Sequence, residues 1–417
     1  MNEPTSSSRF QPLRSQPLRS LIESRRWLVI LAVAGTLLRF ALIVQTLHNQ
    51  RFYDEIDYDH IGVSVWHGHG FMDHTIGLPE PDHYTAYRAP AQPVFIALVY
   101  SVTGRQPVFV EVCQALLLAT LPFLCSRVGR ALGLSALAAN IGATLAAFHP
   151  LLGYASSTLY PTAITTVALT FGVWACFEAI QRNRASWAIG AGIAFGIAGT
   201  ATTTFAPIAF LAAVIVVFKR RVKLAILIAF FGLAPVLSWM IRNKIVMHDF
   251  TVATNGGYNL ELGANDDATP RSGNWITLYP NWALGEVKAD QLLKEQAVAW
   301  IHAHPARYAE LSVLRGLAVF DSVGRPKTQG VNSGRLAQIA GWALLPVVLL
   351  GVAGLILRWR HPIAWLTAGA LGLVILSSAL TLAKPRFRLP IDPLLCVFAM
   401  SAVVRIRRPE SPTNKVV

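Results

Sequence analysis

Acidic and histidine side chains are densest in one short stretch of this sequence. Between residues 51 and 93 the chain reads RFYDEIDYDHIGVSVWHGHGFMDHTIGLPEPDHYTAYRAPAQP. Asp54, Glu55, Asp57 and Asp59 stand almost side by side, and His60, His67, His69, His74 and His83 follow. Carboxylates so placed can take a proton from a hydroxyl. On a helix, Asp54 and Tyr58 share one face and Glu55 and Asp59 share the next. A plain solvated acidic loop accounts for the same letters equally well. The His and Asp residues offer ligands to a divalent metal, but no pair has the HExxH arrangement or another tight ligand motif. His67 and His69 would share a face on a strand and not on a helix. No metal ligand is assigned and no cofactor is required; a divalent metal stays an open alternative.

The elements that position these groups follow from composition. Of the 417 residues 53% are hydrophobic and only 14% charged, against about 25% charged in soluble domains. Lipid must then be the solvent for much of the chain. A span needs about 20 apolar residues. Ten runs qualify, at 27–47, 108–125, 134–152, 162–180, 187–203, 205–218, 224–241, 336–357, 363–382 and 389–404. The fifth and sixth share one stretch broken near Thr202–Thr204 and Pro207. The expected fold is an all-α polytopic bundle with two large extracytoplasmic loops carrying juxtamembrane helices.

The net charge of +14 is not a nucleic-acid signal. The basic residues sit in short runs between apolar segments: Arg25/Arg26, Arg127/Arg130, Arg182/Arg184, Lys219–Lys223, Arg358/Arg360 and Arg405–Arg408. All six fall on alternate connections, the positive-inside pattern, with anionic headgroups as partners. This organises the chain as a disordered cytoplasmic tail (1–26), a membrane module (27–241) containing the first outward loop (48–105), a second outward loop (242–335), C-terminal spans (336–405) and a cytoplasmic tail (406–417). The apolar segment 89–104 is too short for a span and reads as a half-inserted helix. In the second loop 288–304 places Leu293, Ala297, Trp300 and Ile301 on one helical face, an interfacial helix ended by Pro305 or an ordinary helix packed on the bundle. Cys113, Cys125, Cys176 and Cys396 all lie in apolar runs and form no CxxC pair; they read as small buried hydrophobes.

A second charged cluster lies on the outward side, opposite the six basic runs: Lys384, Arg386 and Arg388. With Arg88 these are candidates for a phosphate, because guanidinium groups hold phosphate oxygens in pairs and preorganised cations stabilise developing negative charge. An interfacial cluster binding lipid headgroups is the plainer alternative. Asn255, Gly256, Gly257 and Asn259 read as a turn, either structural or touching substrate.

Four segments in this order resemble the GT-C glycosyltransferases, in the bacterial, family 39-like branch related to protein O-mannosyltransferases and the lipid A aminoarabinose transferase. They are DEIDY at 54–58 with GHGF at 68–71; YRAPAQPVFIALVYSVTG at 87–104; TNGGYNLELGAND at 254–266; and KPRFRLPIDPLL at 384–395. HAHPARY at 302–308 adds to them. The resemblance implies a membrane enzyme that moves a hexosyl or pentosyl group from a polyprenyl-phosphate donor to a glycan, lipid or protein acceptor at the extracytoplasmic face, in a bacterial inner membrane. It implies seven spans before the second loop, and Asp54 as the base of an inverting displacement with Glu55 as the alternative. Arg88, Lys384, Arg386 and Arg388 would hold the donor phosphate, and Tyr58, Tyr87, Asn255 and Asn259 would line the substrates. One position departs from the family. Many relatives carry an acid at the outward start of the fourth span, where this chain has Tyr160-Pro161-Thr162 in SSTLYPTAITT. A transporter or flippase of a lipid-linked saccharide, and a polysaccharide polymerase or ligase, are the competing readings.

Overall fold

The computed structural model describes residues 16–47, 51, 53–73, 83–270, 281–321 and 335–404. His74 and the charged tails beyond these limits lie outside the described residues. The chain opens with α1 (Gln16–Glu23) and α2 (Arg25–Thr46); the Ser24 hydroxyl caps α2 by accepting the Trp27 N–H. Next come α3 (Tyr53–Trp66) and two short antiparallel strands, β1 (Met72–Asp73) and β2 (His83–Tyr84). The bundle continues with α4 (Ala91–Thr103), α5 (Pro107–Leu118), α6 (Leu121–Ala131), α7 (Ala136–Ala147), α8 (Pro150–Ala155) and α9 (Thr162–Arg182). After these run α10 (Ala185–Ala201), α11 (Ile208–Phe218) and α12 (Val222–Met247). The second connection holds α13 (Gly256–Gly263), α14 (Glu286–Ala303) and α15 (Pro305–Ala318). α16 (Arg335–Leu357), α17 (Pro362–Leu380) and α18 (Asp392–Val403) complete the bundle.

All ten apolar runs are helical. Among the described residues, six helical stretches are long and apolar enough to cross a membrane, among them Pro107–Ala131, which joins α5 to α6; α7, α10, Thr203–Phe218 and α18 are shorter apolar helices. The break between the fifth and sixth runs is a 3-10 turn at Thr203–Phe205. Pro207 explains it, since proline lacks an N–H and disfavours helical backbone just before itself. Small residues let helices approach closely, as is usual where lipid gives no hydrophobic drive to association. A Cβ on Gly192 would stand 2.9 Å from the Ile228 carbonyl oxygen, so only glycine lets α10 meet α12 there.

The two ends of the bundle differ. At one, Arg127, Arg182 and Lys219 lie over Trp174, Trp187 and Trp365, and His361 stacks on Phe177. This basic, aromatic end is the cytoplasmic one by the positive-inside rule. The other end gathers α3, α4, α13, α14 and the 381–391 loop. There α4 buries Ile96 and Tyr100 and exposes the stripe Val94, Leu98 and Val102, the pattern of a helix lying against lipid. α14 buries Ala289, Leu293 and Ala297 against the protein. Pro305 does end it, but as the first residue of α15 and not of a loop.

Candidate active site

The acids of the first loop sit on α3, and each face has its own partners. Asp54 lies in the first turn, where the helix dipole favours negative charge. Its Oδ1 accepts from Arg88 Nη2 at 2.7 Å, and its Oδ2 accepts from Arg386 Nη2 at 3.0 Å and from the Tyr160 hydroxyl at 3.3 Å. Asp57, one turn on, accepts from Arg88 Nε and Nη2 at 3.0 and 2.6 Å. The neighbouring face does different work. Glu55 is buried and accepts from the Leu159 N–H at 2.9 Å and from Arg51, which also donates to Glu111. Asp59 accepts from Arg105 and the Tyr100 hydroxyl. Glu55, the alternative base, thus faces away from the Asp54 cluster, its carboxylate bracing the loop before α9.

The cations divide in the same way. Arg88 is flanked by Tyr87 and Tyr58, with ring centroids 4.8 and 5.5 Å from its guanidinium carbon. Arg386 lies 4.5 Å over the Tyr160 ring. Lys384 is half-buried, and its ammonium has neither a hydrogen bond nor an ion pair among the described residues. Arg388, grouped with them on sequence, is elsewhere. It is fully buried, donates to Asp392 at 2.7 Å and to the Val319 carbonyl oxygen at 2.6 Å, and Asp392 also meets His149 at 3.2 Å. Arg388 thus stands apart from the other three cations, its guanidinium tying α18 to the end of α15.

Electrostatics follow from this arrangement. Burial alone would raise the Asp54 carboxyl, but Arg88 and Arg386 outweigh it and hold the group well below the usual carboxylate range. Burial, and then the charge of Arg386, brings the Lys384 ammonium down to about 8. Burial pushes the Tyr58 phenol up to about 12, so it stays neutral. Tyr160 offers Asp54 a hydroxyl and Arg386 an aromatic face.

The segment before Arg88 is held from the second outward connection. Glu286, buried at the start of α14, accepts from the Ala86 N–H at 2.9 Å, from Thr85 Oγ1 at 2.7 Å and from Thr254 Oγ1. Arg242 donates to the Thr85 and Phe71 carbonyl oxygens, and Asn255 donates to the Tyr87 carbonyl oxygen at 2.8 Å. The Gly/Asn segment expected as a turn is the helix α13. It fits only because two glycines sit where backbones touch: a Cβ on Gly257 would meet the Asp290 carbonyl oxygen at 1.9 Å, and one on Gly263 the Thr381 carbonyl oxygen at 2.1 Å. The Asn259 side chain makes no hydrogen bond among the described residues, and nothing ties it to the cluster.

Sequence reasoning missed three residues. Asp57 was detectable, being one helical turn from Asp54. Tyr160 was noticed only as a departure. Glu286 carries no local signal, because its partners Thr85 and Ala86 lie about two hundred positions away and Thr254 lies 32 away. Of the threonines in the bundle, Thr166 donates to the Thr162 carbonyl oxygen, Thr170 to that of Thr166 and Thr200 to that of Gly196, while the Thr165 and Thr202 hydroxyls meet at 2.8 Å.

Residues 87–239 match the family model of the dolichyl-phosphate-mannose-protein mannosyltransferases. No curated protein matches. Among solved structures, the Archaeoglobus fulgidus oligosaccharyltransferase tethered with an acceptor peptide matches at 13% identity and a TM-score of 0.53, over 92% of this chain and 50% of that one. The same organism's AglB, in complex with an inhibitory peptide and a dolichol-phosphate, matches at 14% identity and a TM-score of 0.51, over 90% and 50%. ArnT from Cupriavidus metallidurans bound to undecaprenyl phosphate is similar at 10% identity and a TM-score of 0.44, over 90% and 77%. The chain spans about half the length of the oligosaccharyltransferases it matches. The family match begins at Tyr87, beside Arg88, and ends at Trp239; over the rest of the chain the likeness to the solved oligosaccharyltransferases is one of fold, a helical membrane bundle.

Proposed function

We propose that the protein transfers one sugar, hexosyl or pentosyl, from a polyprenyl-phosphate donor to an acceptor hydroxyl on a glycan, lipid or protein, at the extracytoplasmic face of a bacterial inner membrane. One observation carries the reading: Asp54 and Arg386, from opposite ends of the chain, meet at 3.0 Å beside Arg88 and the unpaired Lys384. In the displacement, the acceptor oxygen forms a bond to the anomeric carbon as the bond from that carbon to the phosphate oxygen breaks. The bonding electrons stay on the polyprenyl phosphate, and the acceptor proton goes to Asp54. Arg88, Lys384 and Arg386 hold the phosphate and meet the charge it gains. Asp54 is the base, and Tyr58, Tyr87 and Tyr160 form the aromatic wall around the cluster. No metal is part of this scheme. A divalent ion at Asp54 and Asp57 is the competing arrangement, and chelation of the purified protein separates the two.

The test is turnover of purified protein in lipid nanodiscs with candidate polyprenyl-phosphate sugars and an acceptor extract. Asp54→Asn should abolish transfer while leaving insertion and thermal stability intact. Full turnover by that variant would remove Asp54 as the base. No transfer from any polyprenyl-phosphate sugar, by wild-type protein free of bound product, would remove the reading itself.

A further inference from the structure

Both oxygens of Asp54 are occupied. Arg88 takes one at 2.7 Å, and Arg386 and Tyr160 share the other. A carboxylate in this state is a very weak base. These two guanidinium groups are also the ones aimed at the donor phosphate. Arg88, Lys384 and Arg386 carry three positive charges against the two negative charges of Asp54 and Asp57, so the cluster holds one positive charge in excess. A sugar phosphodiester carries one negative charge and would balance it.

We infer that Asp54 and the donor phosphate compete for Arg88 and Arg386, so that donor binding unmasks the base and must precede activation of the acceptor. This rests on the proposed function and adds an order to it. The arginines turn from Asp54 toward the phosphate oxygens. Asp54 loses its charge partners and becomes more basic, since the neighbouring cations are what hold its proton affinity down. The acceptor hydroxyl can then give its proton to Asp54. Transfer follows with the bond changes given above, and the proton leaves to solvent. The leaving phosphate monoester gains charge and holds the arginines until it departs, after which they close on Asp54 again. Without donor, Asp54 is quenched, so a hydroxyl or water reaching the site alone meets no base. Asp57, which accepts from Arg88 Nε and Nη2, stays beside that side chain while it changes partner.

Competition makes a prediction that a simple base does not. The probe is undecaprenyl phosphate, titrated into wild-type protein and variants in nanodiscs of zwitterionic lipid. Removing the charge of Asp54 frees both arginines, so Asp54→Asn should bind the probe about tenfold tighter, the order expected from hydrogen bonds to charged groups. Asp54→Ser, a residue well tolerated at a helix start, carries the same expectation if the amide variant does not fold. The gain should vanish in the double variant Asp54→Asn/Arg386→Gln, because the two changes act on one network. Equal or weaker binding by the Asp54 variants, beside saturable wild-type binding, overturns the competition and leaves the proposed function standing. Absence of saturable binding by wild-type protein overturns both.

Discussion

The Glu286 carboxylate fastens the backbone of Ala86, two positions before Arg88, accepting its N–H at 2.9 Å across two hundred residues of sequence. The same carboxylate takes the hydroxyls of Thr85 and Thr254, so one buried side chain sets the level of both outward connections. Glu286→Ala leaves three donors unsatisfied and should cost about 2 kcal/mol or more of stability, with undecaprenyl phosphate affinity falling about tenfold as Arg88 loses its register. Glu286→Gln keeps an acceptor for the Ala86 N–H and should recover most of both. Thermal unfolding and donor titration of the pair check this; equal donor affinity in both variants and wild type would show that the clamp does not set Arg88.

Gly263 is the contact through which α13 rests on the loop leading to Lys384. A methyl group there would lie 2.1 Å from the Thr381 carbonyl oxygen and 2.9 Å from Arg315 Nη1, neither of which is a yielding side-chain tip: Arg315 is itself buried and donates to the Gly263 carbonyl oxygen at 2.7 Å. Gly263→Ala should destabilise by about 1–3 kcal/mol and lower turnover by displacing Lys384. Gly256→Ala, where a Cβ meets nothing within 4 Å, is the matched control and should be close to neutral.

Lys384 gives the donor site a pH dependence. Its ammonium is brought down to about 8 by burial and by Arg386. A bound phosphate favours the protonated form, so affinity is greatest below about 8 and weakens as pH rises through that value. Phosphate monoesters, with a second pKa of about 6, are already dianionic there and add no slope of their own. Donor titrations between pH 7 and 9.5 should show the loss in wild-type protein and a flat profile in Lys384→Met. For stability the sign is opposite: a lysine lowered in the folded state opposes folding below its folded value and ceases to do so as pH rises toward its unfolded value.

Arg386 and Arg388, two positions apart, should separate cleanly. Arg386→Ala removes a half-exposed cation from the cluster and should weaken undecaprenyl phosphate binding about tenfold or more with little change in unfolding temperature. Arg388→Ala leaves Asp392 buried without its strongest partner and should cost about 3–5 kcal/mol of stability, with donor affinity kept in whatever protein remains folded. The two unfolding curves and the two titrations decide it; matching losses of affinity would return Arg388 to the donor site.

The amino-acid sequence by itself determined the membrane bundle. Apolar runs of span length become helices because lipid leaves backbone groups no partner but one another, and the six basic runs mark the end that stays in the cytoplasm. It also determined that α3 is a helix whose Asp54 and Tyr58 share a face, since that periodicity is local. Only the tertiary structure decided which acid faces which cation. Glu55 and Asp54 are neighbours of the same chemistry, yet one braces Leu159 and the other meets Arg386, and partners so distant leave no trace in spacing. Likewise α13 reads as a turn, because eight residues rich in glycine do not hold a helix in isolation. Asp290 accepting the Tyr258 N–H at 3.1 Å, and backbones close enough to exclude a Cβ, make it a helix in place.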